Sequence, residues 1–208
     1  MEVNNLSAAA ITRGLATNLI GQNVIHYSSL TSTMEVARGE AQRGAPEGTV
    51  IIADEQTAGQ GRMGRVWQSP RGSIALSVIL YPDVFFLPSL IMVASLAVVH
   101  SIEEVTGLKP QIKWPNDVLM AGKKVCGILV ESQVRGSLVD YSIVGLGVNV
   151  NLTSSDLSGV VPPATSLSEE LGREVPRLDF VRQLLVELDR LYLSVLGGAS
   201  LCGEWRDR

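Results

Sequence analysis

A β-branched, apolar run, Thr49-Val50-Ile51-Ile52-Ala53, opens almost at once into a loop of glycine and arginine, Gln56-Thr57-Ala58-Gly59-Gln60-Gly61-Arg62-Met63-Gly64-Arg65-Val66-Trp67. A run of that length and composition reads as a buried strand. Gly59, Gly61 and Gly64 leave a backbone that bends sharply and lets a ligand come close. Arg62 and Arg65 carry permanent charge suited to carboxylate or phosphate. A strand that delivers such a loop, with Trp67 just beyond, predicts a site for a phosphorylated or adenylated small molecule. The plain alternative is a solvated turn with two surface arginines, because short glycine motifs recur by chance.

The rest of the chain predicts alternating helices and strands. Residues 7–20 read as a helix ending at Gly21, and Val24 to Leu30 as a strand. Ser32-Thr33-Met34-Glu35 has the S-x-x-E capping-box pattern and starts a helix to about Arg43. Ile74 to Tyr81 alternates as a strand, and Pro88 to Gly107 is a long, largely buried helix. Gln111 to Trp114 and Val118 to Met120 are short strands; Ala121-Gly122 turns into a strand over Lys124 to Val134. Gly136 turns the chain into Leu138 to Val150, a Pro/Ser/Gly loop follows over 152–164, and Arg177 to Leu196 is an amphipathic helix. Hairpin strands with helices at both ends and one between them predict an α+β domain on a mixed β-sheet flanked by helices.

With 208 residues, one domain is the default. A hydrophobic content of 46% with 18% charged residues fits a soluble globular protein. The net charge of −4 and the lack of a basic tract argue against DNA as a partner. Cys126 and Cys202 lack metal-ligand spacing and suggest a reducing cytoplasm, with Cys126 a small core residue. Met1-Glu2-Val3-Asn4-Asn5 lacks the basic start of a signal peptide. The apolar stretch Val84 to Val99 contains Pro88 and falls short of the ~20 residues that cross a bilayer, so no membrane partner is expected.

A second segment narrows the reading. Lys113-Trp114-Pro115-Asn116-Asp117 leads to Lys124-Val125-Cys126-Gly127-Ile128-Leu129-Val130-Glu131, and Gly145-Leu146-Gly147-Val148-Asn149 follows, with Ala164-Thr165-Ser166-Leu167 beyond. With the glycine-arginine loop, these resemble the signatures of the biotin protein ligases, in the family's order, over roughly residues 7–206. The resemblance implies a biotin/lipoate ligase catalytic domain over 1–208, with a class II aminoacyl-tRNA synthetase-like mixed sheet and helices on one side. Many members carry an N-terminal DNA-binding helix-turn-helix domain, and most a C-terminal SH3-like domain. The chain is expected to lack the first, and the second is expected to be absent or truncated.

The resemblance also implies a reaction and its residues. Biotin's carboxylate attacks the α-phosphate of ATP, with Mg2+, to form biotinyl-5′-AMP. A lysine of a biotin carboxyl carrier domain, part of a biotin-dependent carboxylase, then displaces AMP. Ser32, Thr33 and Gln56 match biotin-binding positions, where a neutral ureido ring needs neutral donors and acceptors; a capping role for Ser32 competes with this. Gly59, Gly61 and Gly64 close the loop over ligand, and Arg62 contacts the adenylate. Arg65 and Trp67 join the nucleotide side, Trp67 by stacking on adenine, with an ion pair and a core aromatic as their plain alternatives. Asn116 and Asn149 are nucleotide-side polar groups, although Asn149 could simply cap a strand edge. Lys124 bridges carboxylate and phosphate, while Lys123 is a surface lysine. Asp117, clustered with Lys113 and Asn116, orients the incoming lysine or takes its proton. Trp114 and Pro115 are expected to fix their turn. His26 and His100 match no family site, His100 is expected to be structural, and Glu103-Glu104 is a solvated helix face.

No metal ligands are assigned. The loop departs from the family at Gln60, where a basic residue is usual, and Met34 replaces the usual asparagine. Family members often dimerise through the sheet, so a homodimer is one state the resemblance allows. No P-loop motif is present. A lipoate or octanoate ligase of the same fold is the nearest enzyme alternative. A biotin-binding regulator without transfer is the nearest non-enzyme.

Overall fold

The computed structural model describes residues 6–208, so the N-terminal pentapeptide read above lies outside the described residues. In chain order the elements are α1 (Ala8–Thr12), β1 (Val24–Tyr27), α2 (Thr33–Gln42), β2 (Val50–Ala53), β3 (Ile74–Leu80), α3 (Leu87–Thr106), β4 (Gln111–Lys113), β5 (Asp117–Met120), β6 (Lys123–Arg135), β7 (Leu138–Val148), α4 (Leu167–Leu171), α5 (Arg177–Leu196) and α6 (Cys202–Asp207). The strands form one sheet in the order β1-β2-β3-β7-β6-β5-β4. Only β1 and β2 run parallel, which makes the sheet mixed as expected.

Strand alternation gives the sheet two unlike faces. Ile74, Leu76, Val78 and Leu80 of β3, with Val144, Leu146 and Val148 of β7, point into the main core under α3 and α5. The other face carries Ala75 and Ser77 of β3 and Ile143, Gly145 and Gly147 of β7. Helix α2 packs there, burying Met34, Ala37 and Ala41 against Ile51, Ile79, Tyr141 and Ile143. The resemblance led to helices on one side; α2 corrects this, because its small buried face fits a sheet surface already thinned by glycine and alanine.

Three local expectations also change. The helix expected over 7–20 stops at Thr12. Gly14 is left-handed, at φ 69, and the N–H groups of Asn18, Leu19 and Ile20 donate instead to the buried Asp189 carboxylate of α5, at 2.8–2.9 Å. One carboxylate with three donors outcompetes the helical ladder. Asp189→Ala should therefore cost about 3 kcal/mol in urea unfolding, because three inward amides lose a charged partner. A loss below about 1 kcal/mol would show that Ile11 and Ile20 hold this segment by burial alone.

Pro88 lies in the first turn of α3, where proline is tolerated, so it does not shorten the apolar run. Val84–Thr106 is, by length and composition, long enough to cross a membrane, but its apolar surface is spent against the sheet and α5. Glu104 is exposed, as a solvated helix face requires, but Glu103 is half-buried and pairs with Arg208 at 2.6 Å. This contact, together with Trp205 Nε1 donating to Ser95 Oγ at 2.7 Å, docks α6 on α3. His100 is structural as expected, bonded to Glu187 of α5 and Glu204 of α6 at 3.1 and 2.7 Å. Cys126 is a core residue whose burial pushes the thiol pKa up, outweighing the nearby Lys124 charge.

Candidate active site

One row of paired residues crosses five strands: Ala53, Ala75, Gly147, Gly127 and Asp117. Paired positions share a face, so the row is a floor almost without side chains that ends in a carboxylate. The next row, Ile51, Ser77, Gly145 and Leu129, continues it beneath the start of α2. Large side chains lie on this floor. A Cβ at Gly147 would collide with the Trp67 indole, and one at Gly127 would lie 2.9 Å from that ring and 3.1 Å from Lys124 Nζ. The glycines are spaced to admit the tryptophan and whatever lies beside it.

The cleft over this floor is lined at one end by Ser32, Thr33, Met34 and Gln56, and at the other by Gln60, Arg62, Trp67, Asn116 and Lys124. The first end is neutral and polar. Ser77 Oγ donates to Thr33 Oγ1 at 2.8 Å, and Thr33 donates to Gln56 Oε1 from both N–H and hydroxyl, at 2.8 and 3.1 Å. With Oε1 taken, the Gln56 amide nitrogen remains as a donor. Ser32 does not cap α2 with its side chain, as the capping box had suggested. Glu35 bonds Thr31 at 2.7 Å, and Ser32 Oγ is buried without a protein partner. A buried hydroxyl in that state needs a polar ligand atom or water.

The second end is cationic. Lys124 Nζ lies 2.7 Å from Asp117 Oδ1 and 5.3 Å from the Trp67 ring centre. The Asp117 oxygen makes no well-angled hydrogen bond, so charge rather than a directed bond holds the pair. Lys123 is exposed and outside the cleft, whereas Lys124 lines it. Arg62 sits in a single 3₁₀ turn, Arg62–Gly64, and its Nη1 donates to Asn116 Oδ1 at 3.1 Å. The Asn116 amide in turn donates to the Ile128 carbonyl at 3.2 Å. Two distant sequence motifs thus meet through one asparagine. The glycine-arginine loop closes as a narrow hairpin: Gly61 N–H bonds Arg65 O at 2.8 Å and Trp67 N–H bonds Gly59 O at 2.9 Å.

Beyond Trp67 a second cavity is lined by Val66, Trp67, Lys124, Asn149, Val160, Val161 and Ala164. Asn149 is buried and donates to the Thr165 carbonyl at 3.0 Å, which leaves its own oxygen as an acceptor. The loop over 152–164 is tied down where Lys124 N–H bonds Pro163 O and Thr165 N–H bonds Lys124 O, each at 2.9 Å. Trp67 therefore divides a head chamber from an apolar chamber, with Lys124 at the junction. Arg65 borders an adjoining groove and is exposed. Lys113 is exposed and lines neither chamber. Trp114 is 75% exposed, so packing of its ring does not fix the turn; the Asn116–Ile128 bonds do. Sequence reasoning missed Ser77 and the apolar rim of Val66, Val160 and Val161, and it noted Met34 only as a departure from the family without placing it in the site. Ser77, a lone serine on an otherwise apolar strand, and Met34, beside the serine-threonine pair, carried a signal.

A mixed sheet whose glycine floor joins a neutral polar end to a lysine-arginine end defines a binding site for an acid with a polar head, with an apolar chamber beside the acid. The match to known proteins agrees with that class. The model of the Biotin/lipoate A/B protein ligase family matches residues 27–149, and the chain belongs to this family. It is 42% identical over 191 residues to the Bifunctional ligase/repressor BirA of Bacillus subtilis, covering 90% of this chain and 59% of that protein. It is 37% identical over 167 residues to the Biotin--[acetyl-CoA-carboxylase] ligase of Paracoccus denitrificans, covering 76% of this chain and 69% of that one. The chain thus spans about three fifths of the first of these relatives. Its fold matches the biotin protein ligase of Aquifex aeolicus in complex with biotin and ATP, with a TM-score of 0.69 and 31% identity, covering 86% of this chain and 74% of that one.

Proposed function

We propose that this chain adenylates biotin with ATP and transfers the biotinyl group to a lysine of a biotin carboxyl carrier domain. The observation that carries this reading is the single cleft that joins the unpartnered Ser32 hydroxyl and the Gln56 amide to Lys124 and Arg62. Biotin has a ureido ring for the first end and a carboxylate for the second. A dithiolane ring or an alkyl chain offers Ser32 and Gln56 nothing to bond, which disfavours lipoate and octanoate.

In the first step the biotin carboxylate oxygen attacks the α-phosphorus and pyrophosphate leaves. Lys124 offsets the negative charge that gathers where carboxylate and phosphate meet, and Arg62 holds the phosphate side. The apolar chamber of Val66, Val160 and Val161 takes the adenine beside Trp67, with Asn149 as its hydrogen-bonding group. In the second step the carrier amine attacks the acyl carbon and AMP leaves. Asp117, at the end of the floor, receives or orients the amine proton.

Among the described residues no cluster of His, Cys, Asp and Glu is placed to hold a metal ion. The donor set does not make a resident metal site, so Mg2+ belongs to this proposal as part of the magnesium–ATP substrate, carried on phosphate oxygens. Two free cysteines, one of them exposed, support a reducing cytoplasm as the compartment.

Incubation with biotin, ATP and magnesium should release pyrophosphate in a biotin-dependent way. Added carrier domain should gain one biotinyl group by intact mass. No biotin-dependent pyrophosphate from folded protein would sink the proposal, and equal turnover of lipoate would move it to the lipoate branch.

A further inference from the structure

Large side chains lie over each of three floor glycines. Trp67 covers Gly147, and Trp67 with Lys124 covers Gly127. The third glycine, Gly145, lies under Met34, where Ser32, Thr33 and Gln56 also line the cleft. A Cβ built at Gly145 would lie 2.5 Å from Met34 Sδ and 3.1 Å from its Cγ; its next neighbour, the Leu129 carbonyl oxygen, is at an ordinary 3.5 Å. Gly145 lies inside regular β7 and does not have positive φ, so its backbone accepts an L side chain. Among the described residues, Met34 is therefore the neighbour that a Cβ at Gly145 would collide with.

Met34 is itself confined. It is 3% exposed, on the first turn of α2, and it packs with Ala37, Ile51, Ile79 and Ile143. Its free side is the cleft, which it lines beside Ser32, Thr33 and Gln56. A methyl at Gly145 would thus drive the flexible thioether into the space of the ligand head.

We infer that Met34, seated on Gly145, is the end wall that sets the size of head group this site accepts, and that it is a specificity-determining residue for the acid substrate. This rests on the proposed biotin reading and names a determinant within it. Removing the wall costs contact with a rigid ring more than with a flexible chain, since a loose chain has little fixed contact to lose. A few buried methylene-sized contacts are worth roughly 10-fold or more in discrimination.

Calorimetric titration with biotin and with octanoate tests this on the wild-type chain, Met34→Ala, Gly145→Ala and the double variant. Gly145→Ala should weaken biotin by about 10- to 100-fold. Met34→Ala should lower the biotin-to-octanoate preference about 10-fold. The double variant should bind biotin more tightly than Gly145→Ala, because the added methyl then occupies space the thioether has left. A Gly145→Ala defect that Met34→Ala does not relieve, or an unchanged preference in Met34→Ala, overturns the inference. If Gly145→Ala does not fold, the double variant decides: recovered folding supports Met34 as the obstacle, and continued failure refutes it. Failure of the wild-type chain to bind biotin would instead count against the underlying reading.

Discussion

Lys124→Ala is expected to lower biotin adenylation by about 10²-fold or more, while Lys123→Ala stays within about two-fold of wild type. Two effects act in the same direction. The substitution removes the cation at the junction of the two chambers, and it strands Asp117, whose Oδ1 is buried and held only by the 2.7 Å ion pair. A bare carboxylate on the floor then repels the biotin carboxylate and the phosphates. Lys124→Ala with Asp117→Asn should recover part of the first half-reaction while transfer to the carrier stays impaired. Single-turnover pyrophosphate release separates the half-reactions. An equal or larger loss from Lys123→Ala would mean that the wrong lysine has been placed in the site.

The second large effect is expected at Arg62. Arg62→Gly should keep measurable adenylation but release biotinyl-5′-AMP about 10- to 100-fold faster, the worth of one charged hydrogen-bonding group. The glycine-arginine hairpin is pinned to the rest of the site where Arg62 reaches Asn116, so the variant loses both the phosphate anchor and that pin. Asn116→Ala should show a milder form of the same defect, because it frees the guanidinium without removing it. Gln60→Arg should slow release, since Gln60 lines the cleft with a neutral side chain. The readouts are the dissociation rate of the adenylate and streptavidin blotting of an added non-carrier protein. An unchanged rate with no bystander labelling in Arg62→Gly would refute the anchoring role.

Much of the site was legible because its chemistry is local in the chain. Glycine spacing, a lysine at a set distance from an aspartate and a serine-threonine pair survive as patterns, and all of Ser32, Thr33, Gln56, Arg62, Trp67, Asn116, Lys124 and Asn149 line one chamber or the other. Ser32 shows the limit. The S-x-x-E pattern located the start of α2 correctly, but neither half of the capping box forms: Gln56 Oε1 accepts from the Thr33 N–H, Glu35 accepts from Thr31, and the Ser32 hydroxyl is left to the cleft. The short α1 shows the same limit, because a carboxylate 169 to 171 residues away captured amides that local propensity assigned to a helix.

By itself the sequence determined the mixed α+β architecture and most strand and helix positions, since periodicity and turn residues are properties of neighbours along the chain; the residues of the site were legible through the resemblance of its ordered motifs to the biotin protein ligases. Only the tertiary structure decided which side chain covers which glycine: Met34 over Gly145, and Trp67 over Gly147 and Gly127. It also decided that Asn116 holds Arg62 and that α2 lies on the site face. The physical reason is register. The floor is made by pairing Ala53, Ala75, Gly147, Gly127 and Asp117 across five strands, and a one-residue slip in any strand would turn its member of the row to the opposite face.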